Sequence, residues 1–230
     1  MKASPSKQEL FEYYDARAPE YEEFYDGGPP VKYPDPAVIP EEIAIIKKLL
    51  PGYVSGRCID IACGTGYWLP VYERNCTKIT LIDQSEKALY ECSKKISKLG
   101  IENKTKIICD DIFEHKYDDG LFDYALCGFL ISHLTDEEID NLLLTIKTLL
   151  VPDGRFIIMD KLWNDTIAAI RGNKAGTVTR IIKDGRKFQI YNRFFEKQDL
   201  YDLAGKHKIN LAIVYWGEVF LLATGNFTAG

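Results

Sequence analysis

The chain has 230 residues, which at roughly 150 residues per domain predicts one domain with at most a small addition. Hydrophobic residues make up 46% and charged residues 27%, and 29 Lys and Arg against 34 Asp and Glu leave a net charge of −5; that balance excludes disordered, collagen-like and coiled-coil chains. The acidic total speaks against nucleic acid as a partner. The longest apolar stretch, Tyr124 to Ile131, is far short of the ~20 residues of a membrane span, and no membrane partner is expected. Met1 to Pro5 carries no apolar leader, so a cytoplasmic location is the expectation.

Cys58, Cys63, Cys76, Cys92, Cys109 and Cys127 contain no Cys-x-x-Cys pair, which argues against a zinc site or a thiol redox centre. Cys58, Cys109 and Cys127 lie in apolar runs, where a thiol acts as a small buried hydrophobe. Residues 1–40 are aromatic and turn-rich, with Tyr13, Tyr14, Tyr21, Phe24 and Tyr25 ahead of Gly27-Gly28-Pro29-Pro30, and read as a segment that covers something. Ile43, Ile46, Leu49 and Leu50 predict a short amphipathic helix between Pro40 and Pro51-Gly52. Residues 41–230 then form the main fold.

There, Arg57 to Ala62 and Thr77 to Ile82 read as buried strands, the first ending in Cys63-Gly64-Thr65-Gly66 and the second at Asp83. Leu89, Cys92, Ile96 and Leu99 line one face of a helix from a Ser85 cap to a Gly100 stop. Lys106 to Cys109 and Tyr124 to Ile131 are further strands, and Thr135-Asp136-Glu137-Glu138 is a capping box that opens a helix through Ile139, Leu142, Leu143, Ile146 and Leu150. Val151 to Gly154 reads as a turn and Phe156 to Met159 as a fifth strand. Repeated βα units of this kind close as a doubly wound, mostly parallel sheet. Val178 to Lys183 and Lys187 to Tyr191, joined at Asp184-Gly185, predict a β-hairpin insertion near 177–193. After a helix over Lys197 to Lys206, Leu211 to Tyr215 and Val219 to Ala223 form a terminal strand pair around Trp216-Gly217-Glu218.

In an open parallel sheet, ligands sit beyond the carboxyl ends of the strands where strand order reverses. The first such loop, Asp60 to Gly66, has glycines that permit a tight turn and close backbone approach. The second supplies Asp83, 19 residues after Gly64, near the ~20-residue offset of an acid that bonds ribose hydroxyls. The third holds Asp110-Asp111-Ile112-Phe113, where a carboxylate suits an adenine amino group and Ile112 its face. All three loops fit a nucleoside cofactor.

Together with Leu149 to Gly154 and the terminal antiparallel pair, these loops resemble the class I S-adenosylmethionine-dependent methyltransferases, over roughly residues 10 to 225. The resemblance implies a seven-stranded Rossmann-like sheet and S-adenosylmethionine as cofactor. It implies that Asp60, Gly64 and Gly66 cradle the methionine end, with Ala62 where many members have a glycine. By the same resemblance Asp83 holds the ribose and Asp111 with Ile112 the adenine; Gln84, Cys127 and Phe129 complete the expected cofactor set. Tyr14 to Tyr21 resembles the aromatic N-terminal lid of small-molecule methyltransferases, which places Tyr14 and Tyr21 against the cofactor. No Asn-Pro-Pro-Tyr sequence follows the fourth strand, so the branch acting on adenine or glutamine amides is not supported. The implied acceptor is a small molecule, and the hairpin resembles an insertion that builds a homodimer or shapes the acceptor pocket.

His133 lies just past the fourth strand, and a histidine near neutral pKa suits removal of a proton from a hydroxyl or ammonium acceptor. Its plainer role is a bond to a backbone group at the helix start. Asp60 equally orders the glycine loop, and Asp83 equally caps a helix. Lys161, Trp163 and Asn164 are candidates for the acceptor pocket, whereas His115 and His207 are expected at the surface. Three functions follow: methyl transfer to nitrogen or oxygen of a small molecule, a NAD(P)-dependent oxidoreductase, or a nucleoside-binding protein or S-adenosylmethionine-using enzyme that methylates no partner. Leu69 stands where the dinucleotide fingerprint requires its third glycine, which disfavours the second.

Overall fold

The computed structural model describes residues 7–28, 33–117 and 120–228. Helix α1 (Lys7–Arg17) runs into a 3-10 stretch, Ala18–Asp26, and α2 (Val38–Leu49) precedes strand β1 (Gly56–Ile61). Then come α3 (Leu69–Tyr72), β2 (Cys76–Asp83), α4 (Glu86–Leu99), β3 (Thr105–Cys109), β4 (Phe122–Gly128), α5 (Asp136–Leu149) and β5 (Leu150–Lys161). The chain ends with α6 (Asp165–Arg171), β6 (Ala175–Ile181), β7 (Lys187–Arg193), α7 (Lys197–His207), β8 (Ile209–Trp216) and β9 (Phe220–Phe227).

Seven strands form one sheet in the order β3-β2-β1-β4-β5-β9-β8, with β6 and β7 a separate hairpin. Pairing is parallel from β3 to β5 and antiparallel at β5–β9 and β8–β9. The mostly parallel doubly wound sheet with an antiparallel end is therefore present as expected. Continuous apolar runs suit strands covered on both faces: Ile59, Ile61, Ala125 and Ile157 are fully buried between two apolar clusters, one per face. Helix α4 starts at the Ser85 cap, whose hydroxyl accepts from Ala88 N–H, and stops at Gly100 with φ +67°. Helix α5 opens with the complete Thr135–Glu138 capping box.

Several boundaries moved. The strand expected over 124–131 ends at Gly128, because Phe129 adopts φ +59° and residues 131–133 form a 3-10 turn. Leu150 begins β5 rather than ending α5, and Val151 to Gly154 lies inside β5 as a register shift with Asp153 at φ +65°. At the tip of the hairpin Gly185 alone has positive φ, and the Ile182 and Arg186 backbones pair around it, a three-residue loop in place of a two-residue turn. Helix α2 starts at Val38, ahead of Pro40, which a first helical turn tolerates because its N–H lacks a partner there anyway. Helices α3 and α6 were not foreseen; α6 has Asn164 as its cap and Gly172 as its stop.

Two contacts lock the periphery. The buried Glu42 of α2 accepts N–H bonds from Glu218, Val219 and Phe220, so a helix carboxylate organises the β8–β9 turn. Tyr13 of α1 packs with Ile182, Phe188 and Ile190 of the hairpin in a small third core. Of the turn-rich stretch after the aromatic segment, Pro29 and Pro30 lie outside the described residues. No helix among the described residues is long and apolar enough to cross a membrane.

Candidate active site

Strand order reverses between β1 and β4, and a cavity of about 580 Å³ opens at the carboxyl ends of those strands, within the range of small-molecule pockets. One wall is the loop after β1. Ala62 and Gly64 both have φ +54°, and nothing lies within 4 Å of where a Gly64 Cβ would stand, so the backbone there is bare toward a ligand. Gly64 N–H donates to Asp83 Oδ2 at 2.8 Å, while Asp83 Oδ1 accepts from Ser85 N–H at 2.9 Å. Asp83 thus fastens the glycine loop to the end of β2. Burial raises its carboxyl above the usual range against the pull of these bonds.

Asp83, Gln84, Asp110, Asp111, Ile112 and Phe113 continue the wall along β2 and β3. Asp111 Oδ1 accepts from Phe113 N–H at 2.8 Å, and Asp110 pairs with His115 Nδ1 at 2.8 Å. The opposite wall is the aromatic segment, with Tyr14 and Tyr21, and Phe129 and His133 after β4. The segment is clamped shut by Asp15 to Ser85 Oγ and Lys87, and by Glu22 to Thr65 Oγ1 and Lys95.

Of the expected site residues, Tyr14, Tyr21, Ala62, Gly64, Asp83, Gln84, Asp111, Ile112, Phe129 and His133 line this cavity. Asp60, Gly66 and Cys127 do not. Asp60 is buried beneath the loop, accepts from Tyr72 O–H at 2.7 Å, and is pushed up to about 7 by burial, with Tyr72 opposing and Asp83 reinforcing. Gly66 is pressed on α4: a Cβ would stand 2.5 Å from Cys92 Sγ. Cys127 is core, its thiol pushed far up by burial. These three support the loop from behind.

His133 is bonded through both ring nitrogens, to the Tyr191 carbonyl at 2.9 Å and to Tyr14 Oη at 2.6 Å. A carbonyl only accepts, so Nδ1 carries the proton and Nε2 accepts the Tyr14 hydroxyl. Burial, with Lys161, Arg180 and Arg17 nearby, holds the imidazole well below its usual pKa, and burial holds the Tyr14 phenol well above its own. Both are neutral near pH 7. The backbone partner is on the hairpin, not at the start of α5. His115 and His207, expected at the surface, are each engaged by a carboxylate, Asp110 and Asp140.

A second cavity of about 90 Å³ adjoins the first through Tyr14, Tyr21, Phe129 and His133, and Lys161 lines it. Trp163 and Asn164 do not; Asn164 caps α6 instead. Arg17, Arg171 and Arg180 join Lys161 from other elements, a convergence with no signal in local sequence. Among residues not anticipated in the larger cavity are Phe11, Leu130 and Tyr191.

Residues 58–154 match the methyltransferase-domain family. That stretch, less than half of the chain, is similar to methyltransferase domains. S-adenosylmethionine is the cofactor of that family. Among curated proteins, the chain is 25% identical over 104 residues to a sterol 4-C-methyltransferase of Caenorhabditis elegans, covering 45% of this chain and 30% of that one. It is 31% identical over 90 residues to a carboxy-S-adenosyl-L-methionine synthase of Shewanella halifaxensis, covering 39% and 36%. The chain thus spans about a third of the length of these relatives. Among solved structures, a DhpI-SAM-HEP complex superposes with a TM-score of 0.79 at 20% identity, over 98% of this chain and 100% of that one. At that identity the likeness shows a shared fold and no more. The third-glycine position, Leu69, is fully buried at the start of a four-residue helix, so the long helix that receives a dinucleotide's pyrophosphate is not built here.

Proposed function

We propose that this protein transfers the methyl group of S-adenosylmethionine to a nitrogen or oxygen of a small acceptor. The observation that carries this reading is the single cavity that gathers the open Gly64 backbone, Asp83 and Asp111 with Ile112 on one wall and faces them with Tyr14 and Tyr21. The bare backbone at Gly64 is a cradle that any side chain would fill, so the residues present fit the cofactor. In this reading Ala62 and Gly64 receive the methionine end, Asp83 with Gln84 the ribose, and Asp111 with Ile112 and Phe113 the adenine.

Bound there, the cofactor's sulfonium supplies a methyl group on an already activated leaving group. The chain's own task is positioning, since holding the acceptor atom about 3–3.5 Å from the methyl supplies much of the acceleration. Tyr14, Tyr21 and Phe129 stand between the two cavities and offer aromatic faces toward a cation. His133 and Tyr14 form the proton-accepting pair: a proton taken at Tyr14 Oη is matched by transfer of the phenol proton to His133 Nε2, the bond between them being 2.6 Å. The hairpin packs on its own chain's α1 and supplies the Tyr191 carbonyl that fixes the imidazole, which favours pocket shaping over dimer building as its role. The test is incubation with methyl-labelled S-adenosylmethionine and a panel of small hydroxyl and amine acceptors. Label must move to an acceptor in step with S-adenosylhomocysteine release; release without a labelled partner overturns the reading.

A further inference from the structure

We propose that the second cavity seats an oxyanion carried by the acceptor, a carboxylate or a phosphoryl group, gripped by Arg171, Arg180 and Lys161 with Arg17 behind them. The word acceptor rests on the methyl-transfer reading; the anion site does not. Four cations from four separate elements, at or next to the ends of α1, β5, α6 and β6, meet in one small cavity. Asp160 is the carboxylate beside Lys161; it is fully buried and already accepts N–H bonds from Ser132 and from the Lys161 backbone.

Lys161, Arg171 and Arg180 are poorly matched by the protein itself. Lys161 donates to the neutral amide oxygen of Asn192 at 2.6 Å. Arg171 lies over the Phe194 ring at 4.8 Å and leaves Nη2 buried with no partner. Arg180 is half-buried, and no carboxylate among the described residues forms a salt bridge with it. Gathering like charges out of water is unfavourable unless an opposite charge joins them. The strain registers in the groups themselves: burial and the neighbouring arginines bring Lys161 down to about 7 and Arg171 to about 10. Guanidinium forks match two oxygens of a carboxylate or phosphoryl group, and Phe24, Phe194 and Phe220 exclude water from the same space. The shared border at Tyr14, Tyr21, Phe129 and His133 puts an anchored acceptor next to the cofactor cavity. An ammonium-bearing acceptor would meet repulsion at this place.

The experiment is calorimetric titration of the full chain with sodium phosphate, sodium acetate and methylammonium chloride, each with and without saturating S-adenosylhomocysteine. Wild type is compared with Arg171→Gln, Arg180→Gln, Arg180→Lys and the surface control Lys94→Gln. Saturable binding of phosphate or acetate is expected, weakened roughly tenfold or more in the two Gln variants, partly kept in Arg180→Lys and unchanged in Lys94→Gln. The ion that binds tells a phosphoryl from a carboxylate acceptor. Unchanged S-adenosylhomocysteine affinity and melting temperature show that the variants are folded. No saturable anion binding, equal binding in all variants, or preference for methylammonium overturns the proposal. Anion binding lost in the Gln variants while S-adenosylhomocysteine fails to bind wild type upholds the anion site and overturns the methyl-transfer reading instead.

Discussion

Gly66→Ala separates the glycine that packs from the glycine that faces the ligand. A Cβ at Gly66 would stand 2.5 Å from Cys92 Sγ and 3.4 Å from Cys92 Cβ, at φ +71°. Left-handed backbone costs a residue with a side chain about 1–2 kcal/mol, and forcing a methyl into a packed contact about 1–3 kcal/mol more. The sum is roughly 2–5 kcal/mol, and at about 2–4 °C per kcal/mol for a domain of this size the melting temperature should fall by about 4–20 °C. Gly64→Ala has φ +54° and no atom within 4 Å, so it carries the backbone cost alone and loses about 2–8 °C. Its methyl group instead enters the cofactor wall, and S-adenosylhomocysteine affinity should drop more than in Gly66→Ala. The double variant Gly66→Ala with Cys92→Ala removes the sulfur and should recover part of the loss. Thermal unfolding and calorimetry read both quantities. Equal melting losses at the two glycines, or no recovery in the double variant, would refute the assignment of their roles.

Asp83→Ala removes the acceptor of the Gly64 and Ser85 N–H groups and should weaken S-adenosylhomocysteine by about 1–3 kcal/mol; unchanged affinity by calorimetry removes Asp83 from the site. His133→Ala and Tyr14→Phe should each lower turnover on hydroxyl or amine acceptors while cofactor affinity stays nearly intact, and equal loss of both in the same assays marks a structural role. Asp60, raised from 3.8 to about 7, stabilises the fold as the neutral acid. That contribution is complete below the unfolded pKa and is lost between about pH 4 and pH 7, on the order of 4 kcal/mol. Denaturant unfolding of wild type against Asp60→Asn should therefore diverge across that window, and parallel curves contradict the placement.

The sheet was legible because its strands are buried on both faces and announce themselves as apolar runs, and because Ser85, Gly100 and the Thr135–Glu138 box punctuate the helices. The cofactor wall was legible for a related reason: its residues stand at strand ends, a short and countable distance from each apolar run. What local sequence does not encode is convergence. Arg17, Lys161, Arg171 and Arg180 are neighbours only because α1 folds onto the hairpin and α6 lines the same cavity. Asp60 and Gly66 share the first loop with cavity residues and Cys127 stands near the end of β4, yet Asp60 is buried against Tyr72, Gly66 presses on α4 and Cys127 packs in the core. The helix α6 had a legible Asn164 cap and Gly172 stop, but seven residues carry too little periodicity to declare a face.

The most direct test is calorimetric titration of the purified chain with S-adenosylhomocysteine, with NAD as the rival ligand for a related fold. Saturable one-to-one binding of S-adenosylhomocysteine alone is the expected result. Binding of NAD alone, or of neither, contradicts the placement of a nucleoside cofactor between Gly64, Asp83 and Asp111.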